Sequence, residues 1–248
     1  MKYPIFSERD HKLSQLLNIN IIIMKKVVLV LSVLCGLLST LSVSSAVINR
    51  KNKGEEQYNQ LVEKSLLKLN GAHDNVALKG VLNEFYRIKA IYPEQWLCDY
   101  YIAYMNLRMV FMTKGKVQQE ALSEARKRID NISREENIDR CEVETLDGYY
   151  YYALIASNPS VNGQKYYREV IESYHKAIAI DHTNPRPAFL LLLFQHQMGN
   201  FLGQKESDTE GEFLRIEKLF QQFQPKEKNA PTWGKEEFEA FMSKQRVR

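Results

Sequence analysis

The chain has 248 residues, of which 44% are hydrophobic, 26% charged and 11% aromatic. This composition excludes a disordered, collagen-like or multi-span membrane protein. With 3 cysteines, 11 glycines and 7 prolines, the chain has too few cysteines for a disulfide-built scaffold and too few turn residues for a many-stranded β protein. The formal net charge of +4 comes mainly from the N-terminal region, and the remainder is nearly neutral. Nucleic acid is therefore not an expected partner.

The N-terminal region has the pattern of an export signal. Two lysines precede an uncharged apolar run, and small residues occupy the positions before a cleavage point after Ala46. Residues 24–46 are interpreted as a signal peptide, and residues 1–23 as an extension from a wrongly chosen upstream start codon. The alternative is an uncleaved anchor, because residues 24–48 are long enough to span a bilayer. The mature domain, residues 47–248, is expected in the periplasm or cell envelope, with membrane contact only through that anchor.

Two cysteines, Cys98 and Cys141, belong to the predicted mature domain. An oxidising compartment can join two such thiols in a disulfide. The alternative is that both serve as small buried side chains on neighbouring helices. The sequence leaves these two interpretations open.

Apolar residues recur every three or four positions along the mature chain, and short polar or Pro/Gly breaks separate the segments. This period is typical of amphipathic helices that pack on neighbours. Pro93 is taken as a first-turn residue of its helix, and residues 158–163 as a linker. The predicted helices are 55–69, 74–91, 94–113, 116–132, 140–157, 164–181, 186–199, 209–223 and 234–245.

Similar helix endings recur at Pro93, His182 and Pro225, the first two being 89 residues apart and the last two 43 apart. A period in the forties with two helices in each unit is typical of a helical solenoid. Gly148 and Tyr174 fall at the small and aromatic positions of the tetratricopeptide pattern. The sequence therefore predicts an all-α fold, a tetratricopeptide-like (TPR-like) right-handed solenoid of helical hairpins with a C-terminal capping helix.

Three stretches carry a family resemblance. They are NPR at residues 184–186 after AIAIDH, APTWGKEEFEAF at residues 230–241, and CEVETLDGYYYYA at residues 141–153. With them the chain resembles the exported TPR-like proteins of Bacteroidota, which mostly have no assigned function. Members carry a glycine-rich stretch after the NPR helix, and this chain lacks two of those glycines. The resemblance implies a periplasmic or surface-associated helical repeat protein and nothing catalytic.

The sequence contains no HExxH, GxSxG or CxxC motif and no glycine-rich phosphate loop, and its five histidines are scattered. An enzyme, a bound cofactor and a metal site are therefore not expected. Arg186 is expected to anchor a turn by hydrogen bonding to carbonyl groups of the preceding helix. Trp233 is expected to pack the terminal helix as a closing cap.

The chain has 14 tyrosines, and two clusters of them suggest a binding surface, because a tyrosine combines a rigid ring with a polar tip. The alternative is that these rings pack between adjacent hairpins. The candidate groove residues for a peptide or partner protein are Tyr101, Tyr104, Asn106, Arg108 and Tyr150.

The sequence as a whole favours a non-catalytic protein-interaction module of the periplasm or cell envelope, which binds a peptide or partner protein on the solenoid surface. One alternative is a membrane-anchored assembly scaffold that spaces its partners. Another is an enzyme whose pocket is assembled from several hairpins.

Overall fold

The structure is a computed structural model that describes residues 24–26, 52–201 and 210–246. Those residues form helices joined by turns and contain no strand, which confirms the all-α prediction. None of the helices in these three ranges is long and apolar enough to cross a bilayer.

The chain divides into two units, residues 1–57 and 58–248. In the first unit, residues 52–57 are helical, and so are the three described residues of the predicted signal peptide. The remainder of that signal lies outside the described residues. The helices below belong to the second unit.

The described part of the second unit forms nine helices. Apart from the start of α6, their bounds lie within about one turn of the predicted segments. The helices are α1 (58–70), α2 (Asn75–Ile91), α3 (Trp96–Met112), α4 (Lys116–Ile132), α5 (Arg140–Ser157), α6 (Pro159–Ile180), α7 (Pro185–Phe201), α8 (Glu210–Gln222) and α9 (Lys235–Arg246).

Capping residues and prolines set several of these bounds. Asp74 and Asp139 accept hydrogen bonds from the first backbone N–H groups of α2 and α5, as N-cap aspartates do. Pro93 lies before α3, which begins at Trp96, so its predicted first-turn place is wrong. Pro159 instead takes the first position of α6, since a proline there loses no helical hydrogen bond. The predicted linker 158–163 is therefore mostly helix.

Each helix from α2 to α7 packs on the next one in the chain, and α3 also packs on α5 and α5 on α7. Helix α3 lies at the centre, with its residues buried on nearly every side. Its buried Asp99 is paired with Lys89 at 2.6 Å and with Arg128 at 2.7 Å, which satisfies a charge that would otherwise oppose burial.

Helices α5 and α6 approach closely at Gly148. A β-carbon at this position would lie 2.6 Å from Cε1 of the buried Tyr174. A glycine is therefore needed where the tyrosine ring crosses α5. The sequence pattern had paired these two residue types as the small and aromatic positions of one hairpin.

The segment between α8 and α9, residues 223–234, lies over α1 and α3 with residues 224–228 exposed, and it is named the crossing segment. The Tyr101 hydroxyl donates to the Asn229 carbonyl at 2.8 Å, and the Asn229 side-chain amide donates to the Asn59 carbonyl at 3.0 Å. Asn229 has a φ of 63°, a conformation that asparagine adopts more readily than most residues. These bonds fix the segment to α1 and α3.

Lys226 anchors the start of the crossing segment. Its Nζ lies 2.9 Å from Oδ2 of Asp139 and 2.8 Å from Oδ2 of Asp181. Burial of Asp181 acts to raise its pKa, but hydrogen bonds from Lys226 and Thr183 outweigh that effect and lower the pKa to about 2. The two ion pairs tie the segment to the turns before α5 and after α6.

Helix α9 packs on α7 and α8. Its buried Phe238 contacts the ring of Phe189 on α7 and the ring of Phe220 on α8. Trp233 is half-buried and packs against the hydrophobic cluster that contains Phe238 and Met242 of α9. Its ring also stacks on Tyr104 of α3, with ring centroids 4.3 Å apart. The expectation that Trp233 packs the terminal helix as a closing cap is therefore corrected in part, because the tryptophan also joins the crossing segment to α3.

Candidate functional site

A cavity of about 310 Å³ opens between α3, α5, α7 and the start of α9, and it is named the aromatic cavity. Most of its lining is apolar, with Arg108, Gln197 and Glu237 among the polar exceptions. An apolar pocket with a few polar groups is the usual form of a small-molecule site. Six aromatic rings of the described residues line it, those of Tyr104, Phe111, Tyr149, Tyr152, Phe189 and Trp233.

Several of these rings are nearly parallel. Trp233 and Tyr104 are inclined by 19°, and Trp233 and Tyr149 by 28° with centroids 6.3 Å apart. Phe111 and Tyr149 are inclined by 17° with centroids 5.7 Å apart. Parallel rings at these distances present flat apolar surfaces, and such surfaces favour offset stacking with another ring system.

Helical spacing explains why these side chains meet. Tyr104, Arg108 and Phe111 follow one another at four and three residues along α3, so they share one face of that helix. Tyr149 and Tyr152 are related in the same way on α5. Phe111 is 43% exposed and stands at the mouth of the cavity, whereas Tyr104 is buried.

The hydroxyl groups in the lining remain neutral. Burial raises the pKa of Tyr104 well above its ordinary value and also raises that of Tyr149. The Tyr152 hydroxyl donates to the Gln197 side chain. The hydroxyls of Tyr104 and Tyr149 can donate a hydrogen bond to a ligand, the Tyr152 hydroxyl can accept one, and none of the three carries a charge at neutral pH.

A second cavity, of about 500 Å³, lies between α1, α3 and α9 and is named the polar cavity. Asn70, His73 and Lys235 contribute to its lining. Tyr104, Arg108, Trp233, Gly234 and Glu237 line both cavities. Arg108 therefore stands at the junction between an apolar space and a more polar one.

A buried polar network supports Trp233 from behind. The Trp233 indole N–H donates to the Tyr100 hydroxyl at 2.9 Å, and that hydroxyl donates to Glu142 at 2.7 Å. Glu142 also accepts from the Asn184 amide at 2.6 Å and from Arg186 Nε at 3.1 Å. Arg186 is thus bound to a carboxylate of α5, and the expectation that it bonds to carbonyl groups of the preceding helix is corrected.

Three of the five predicted groove residues come together. Tyr101 and Tyr104 are buried beneath the crossing segment, and Arg108 lies beside Tyr104 with its guanidinium 5.7 Å from the ring centroid. Asn106 is buried elsewhere, and its amide donates to the Ile102 carbonyl of its own helix at 2.8 Å. Tyr150 is half-buried, and its ring centroid lies 5.0 Å from Cζ of Arg126. These last two residues line neither cavity.

Sequence reasoning did not assign Phe111, Tyr149 or Trp233 to the site. Phe111 follows Arg108 by three residues and Tyr104 by seven, and this helical spacing was the signal that could have found it. Nothing local in the sequence indicates that Trp233 stacks on Tyr104, which is 129 residues away along the chain.

The two cysteines are separate, buried thiols. Cys141 lies 3.4 Å from the Asn184 amide, and Cys98 is close to the Tyr58 hydroxyl. Burial raises the pKa of Cys98 to about 11 and that of Cys141 to about 12, so both are protonated and weakly nucleophilic at neutral pH. In the structure they occupy the place of small buried side chains, and no disulfide joins them.

In the three described ranges no group of three or more His, Cys, Asp or Glu side chains could hold a metal ion. His175 and His182 are exposed, and neither lines the aromatic or the polar cavity. The aromatic cavity therefore offers ring stacking, hydrogen bonding and the charges of Arg108 and Glu237, and the polar cavity adds the side chains of His73, Lys235 and Glu236.

No known protein family and no curated protein matches this sequence. Among solved structures, the HusA haemophore from Porphyromonas gingivalis is similar, with a TM-score of 0.64. The alignment covers 78% of this chain and 94% of that chain at 18% sequence identity. The chain thus shares its helical fold with a protein from a member of the Bacteroidota. Membership of the TPR-like family remains a prediction.

Proposed function

We propose that this protein is a non-catalytic, exported binding protein whose aromatic cavity takes a flat and largely apolar ligand, with a porphyrin such as haem as the ligand class. The observation that carries the proposal is the set of six aromatic rings, several nearly parallel, around one open cavity. A haemophore of similar fold supports the choice of a porphyrin.

The size and chemistry of the cavities fit such a ligand. The aromatic cavity of about 310 Å³ adjoins the polar cavity of about 500 Å³, and ligand pockets typically measure about 300–1,000 Å³. Among the described residues, the lining of the aromatic cavity includes neither His nor Cys, so stacking on the rings is the main attraction that these residues offer. Met112 and the tyrosine hydroxyls are the side chains there that could approach the iron of a bound haem.

We further propose that the helices form the predicted TPR-like right-handed solenoid. The packing of α3 on α5 and of α5 on α7 supports it, because the first helices of successive hairpins stack in such a fold. The close approach at Gly148 adds support. Export to the periplasm or envelope rests on the signal pattern before Ala46, with a membrane-anchored scaffold as the alternative if that segment is retained.

Protein binding is the second candidate function. The crossing segment already occupies Tyr101 and Tyr104, so a partner peptide in that groove would have to displace it. The outer surface of α4–α6 is more accessible, and there the half-buried Tyr150 lies beside Tyr151, with ring centroids 5.6 Å apart. A partner protein would be expected on that surface.

Haem titration of three proteins tests the proposed function: the wild type, Phe111→Ala and Tyr167→Ala. Phe111 and Tyr167 are both 43% exposed, but only Phe111 lines the cavity. We expect saturable binding to the wild type and to Tyr167→Ala, and binding about tenfold weaker to Phe111→Ala because one stacking ring is lost. Equal affinity in all three proteins, or no saturable binding to the wild type, would contradict the proposal.

A further inference from the structure

We propose that Arg108 binds a carboxylate group of the ligand, so that the site selects flat acids rather than neutral rings. This inference rests on the proposed function and adds a chemical requirement to it. The acidic group would lie at the junction of the two cavities while the ring system occupies the aromatic cavity. Arg108 lines both spaces, which places its guanidinium within reach of a side group that leaves the ring plane.

Arg108 differs from the other sheltered arginines in the described residues. Arg126 is paired with Asp147 at 2.6 Å, Arg128 with Asp99 at 2.7 Å, and Arg186 with Glu142. Arg108, which is half-buried, has no carboxylate of the described chain within 4.0 Å. A partly buried cation normally has an anionic partner. At Arg108 a bound ligand can supply that anion.

The guanidinium group of Arg108 is held in place, but most of its N–H donors have no hydrogen-bond acceptor among the described residues. Its Nη2 donates to the Ala72 carbonyl at 3.0 Å, and its plane lies near the Tyr104 ring. An arginine carries five N–H donors, so several remain for a ligand. A guanidinium fixed in this way can bind a carboxylate through two parallel hydrogen bonds.

Glu237 provides an opposing charge. It is exposed at the start of α9 and lines both cavities. Both charges act on the nearby Tyr149. Burial is the main cause of the raised pKa of Tyr149, the charge of Arg108 lowers this pKa, and the charge of Glu237 raises it. A carboxylate bound near Arg108 would therefore be repelled by Glu237. His73, Lys235 and Glu236 are exposed like Glu237 but line only the polar cavity, and solvent screens the charges there.

The test compares protoporphyrin IX, which carries two carboxylates, with its dimethyl ester, which has the same ring and no acid. We expect the wild type to bind the diacid about tenfold or more tightly than the diester, as charge-assisted hydrogen bonds allow. Arg108→Gln should lower the affinity for the diacid much more than that for the diester, so that the ratio of the two affinities falls to about one. Glu237→Gln should raise the affinity for the diacid a few-fold relative to that for the diester.

The diester serves as a control for folding, because a variant with a damaged cavity would lose both ligands. If the wild type and Arg108→Gln bind the two porphyrins with the same ratio of affinities, the carboxylate site is wrong and the aromatic site stands. If the wild type binds neither porphyrin, the proposed function fails and this inference with it.

Discussion

Gly148→Ala is expected to lower the midpoint of thermal unfolding by about 6 °C. The new β-carbon would lie 2.6 Å from the buried Tyr174 ring, and overpacking of this kind typically costs about 1–3 kcal/mol. In a domain of this size, 1 kcal/mol corresponds to about 2–4 °C. Gly148→Trp should go further and unfold the α5–α6 hairpin, seen as a loss of helical circular dichroism.

Gly80→Ala is the matched control for this prediction. Gly80 also lies within a helix, but a β-carbon there would meet no atom within 4 Å. Because alanine favours the helix over glycine, this variant should be more stable by about 0.5–1 kcal/mol. An unchanged melting temperature for Gly148→Ala would refute the close packing of α6 on α5.

Arg186→Met is expected to lower the free energy of unfolding by about 3–5 kcal/mol, measured by urea denaturation. Arg186 and Glu142 are each about 1% exposed, so removal of the arginine leaves a carboxylate in the protein interior. Tyr100 and Asn184 would still donate to that carboxylate, but neither carries a compensating charge. The loss is a large part of the stability of a typical domain.

Arg186→Met combined with Glu142→Gln should recover much of that stability. The glutamine removes the unpaired charge and keeps an acceptor for Tyr100 and Asn184. Arg168→Met, which breaks an exposed pair with Glu172 at 3.4 Å, should change the free energy by no more than about 0.5 kcal/mol. If the double variant is as unstable as Arg186→Met, the charge of Glu142 is not the cause.

The helices were predictable because local signals determine them. The apolar period, the N-cap residues Asp74 and Asp139 and the turn residues place most bounds. The error at Pro159 shows the limit of this reasoning. A proline after a polar residue is compatible with a linker or with a first helical turn, and packing on α5 decided in favour of the helix.

The site was only partly predictable, since it depends on contacts between distant parts of the chain. Tyr104 and Arg108, which line the aromatic cavity, belong to a tyrosine-rich cluster that the sequence indicates as a candidate binding surface. Asn106 and Tyr150 were predicted from their residue types. Each lies on a side of its helix that does not line the aromatic or the polar cavity. The crossing segment follows from no local pattern, so the place of Trp233 between α3 and α5 could not be read from the sequence.

The crossing segment changes what the tyrosine-rich groove can do. Its own residues saturate the Tyr101 hydroxyl and cover the ring of Tyr104. What remains open is the space beside Trp233, bounded by Phe111 and Tyr149. A small flat ligand fits this space better than an extended peptide does, and this is the physical reason for the function proposed above.

The fluorescence of Trp233 offers the most direct measurement of the central claim. The chain has two tryptophans, and Trp96 lines neither cavity, so a Trp96→Phe variant leaves Trp233 as the one tryptophan that emits under tryptophan-selective excitation. Titration with protoporphyrin IX should quench this emission, with saturation at one equivalent, because the bound ring would stack beside the indole. If absorbance shows that the porphyrin binds while the emission of Trp233 stays unchanged, the ligand lies elsewhere and the aromatic cavity is not its site.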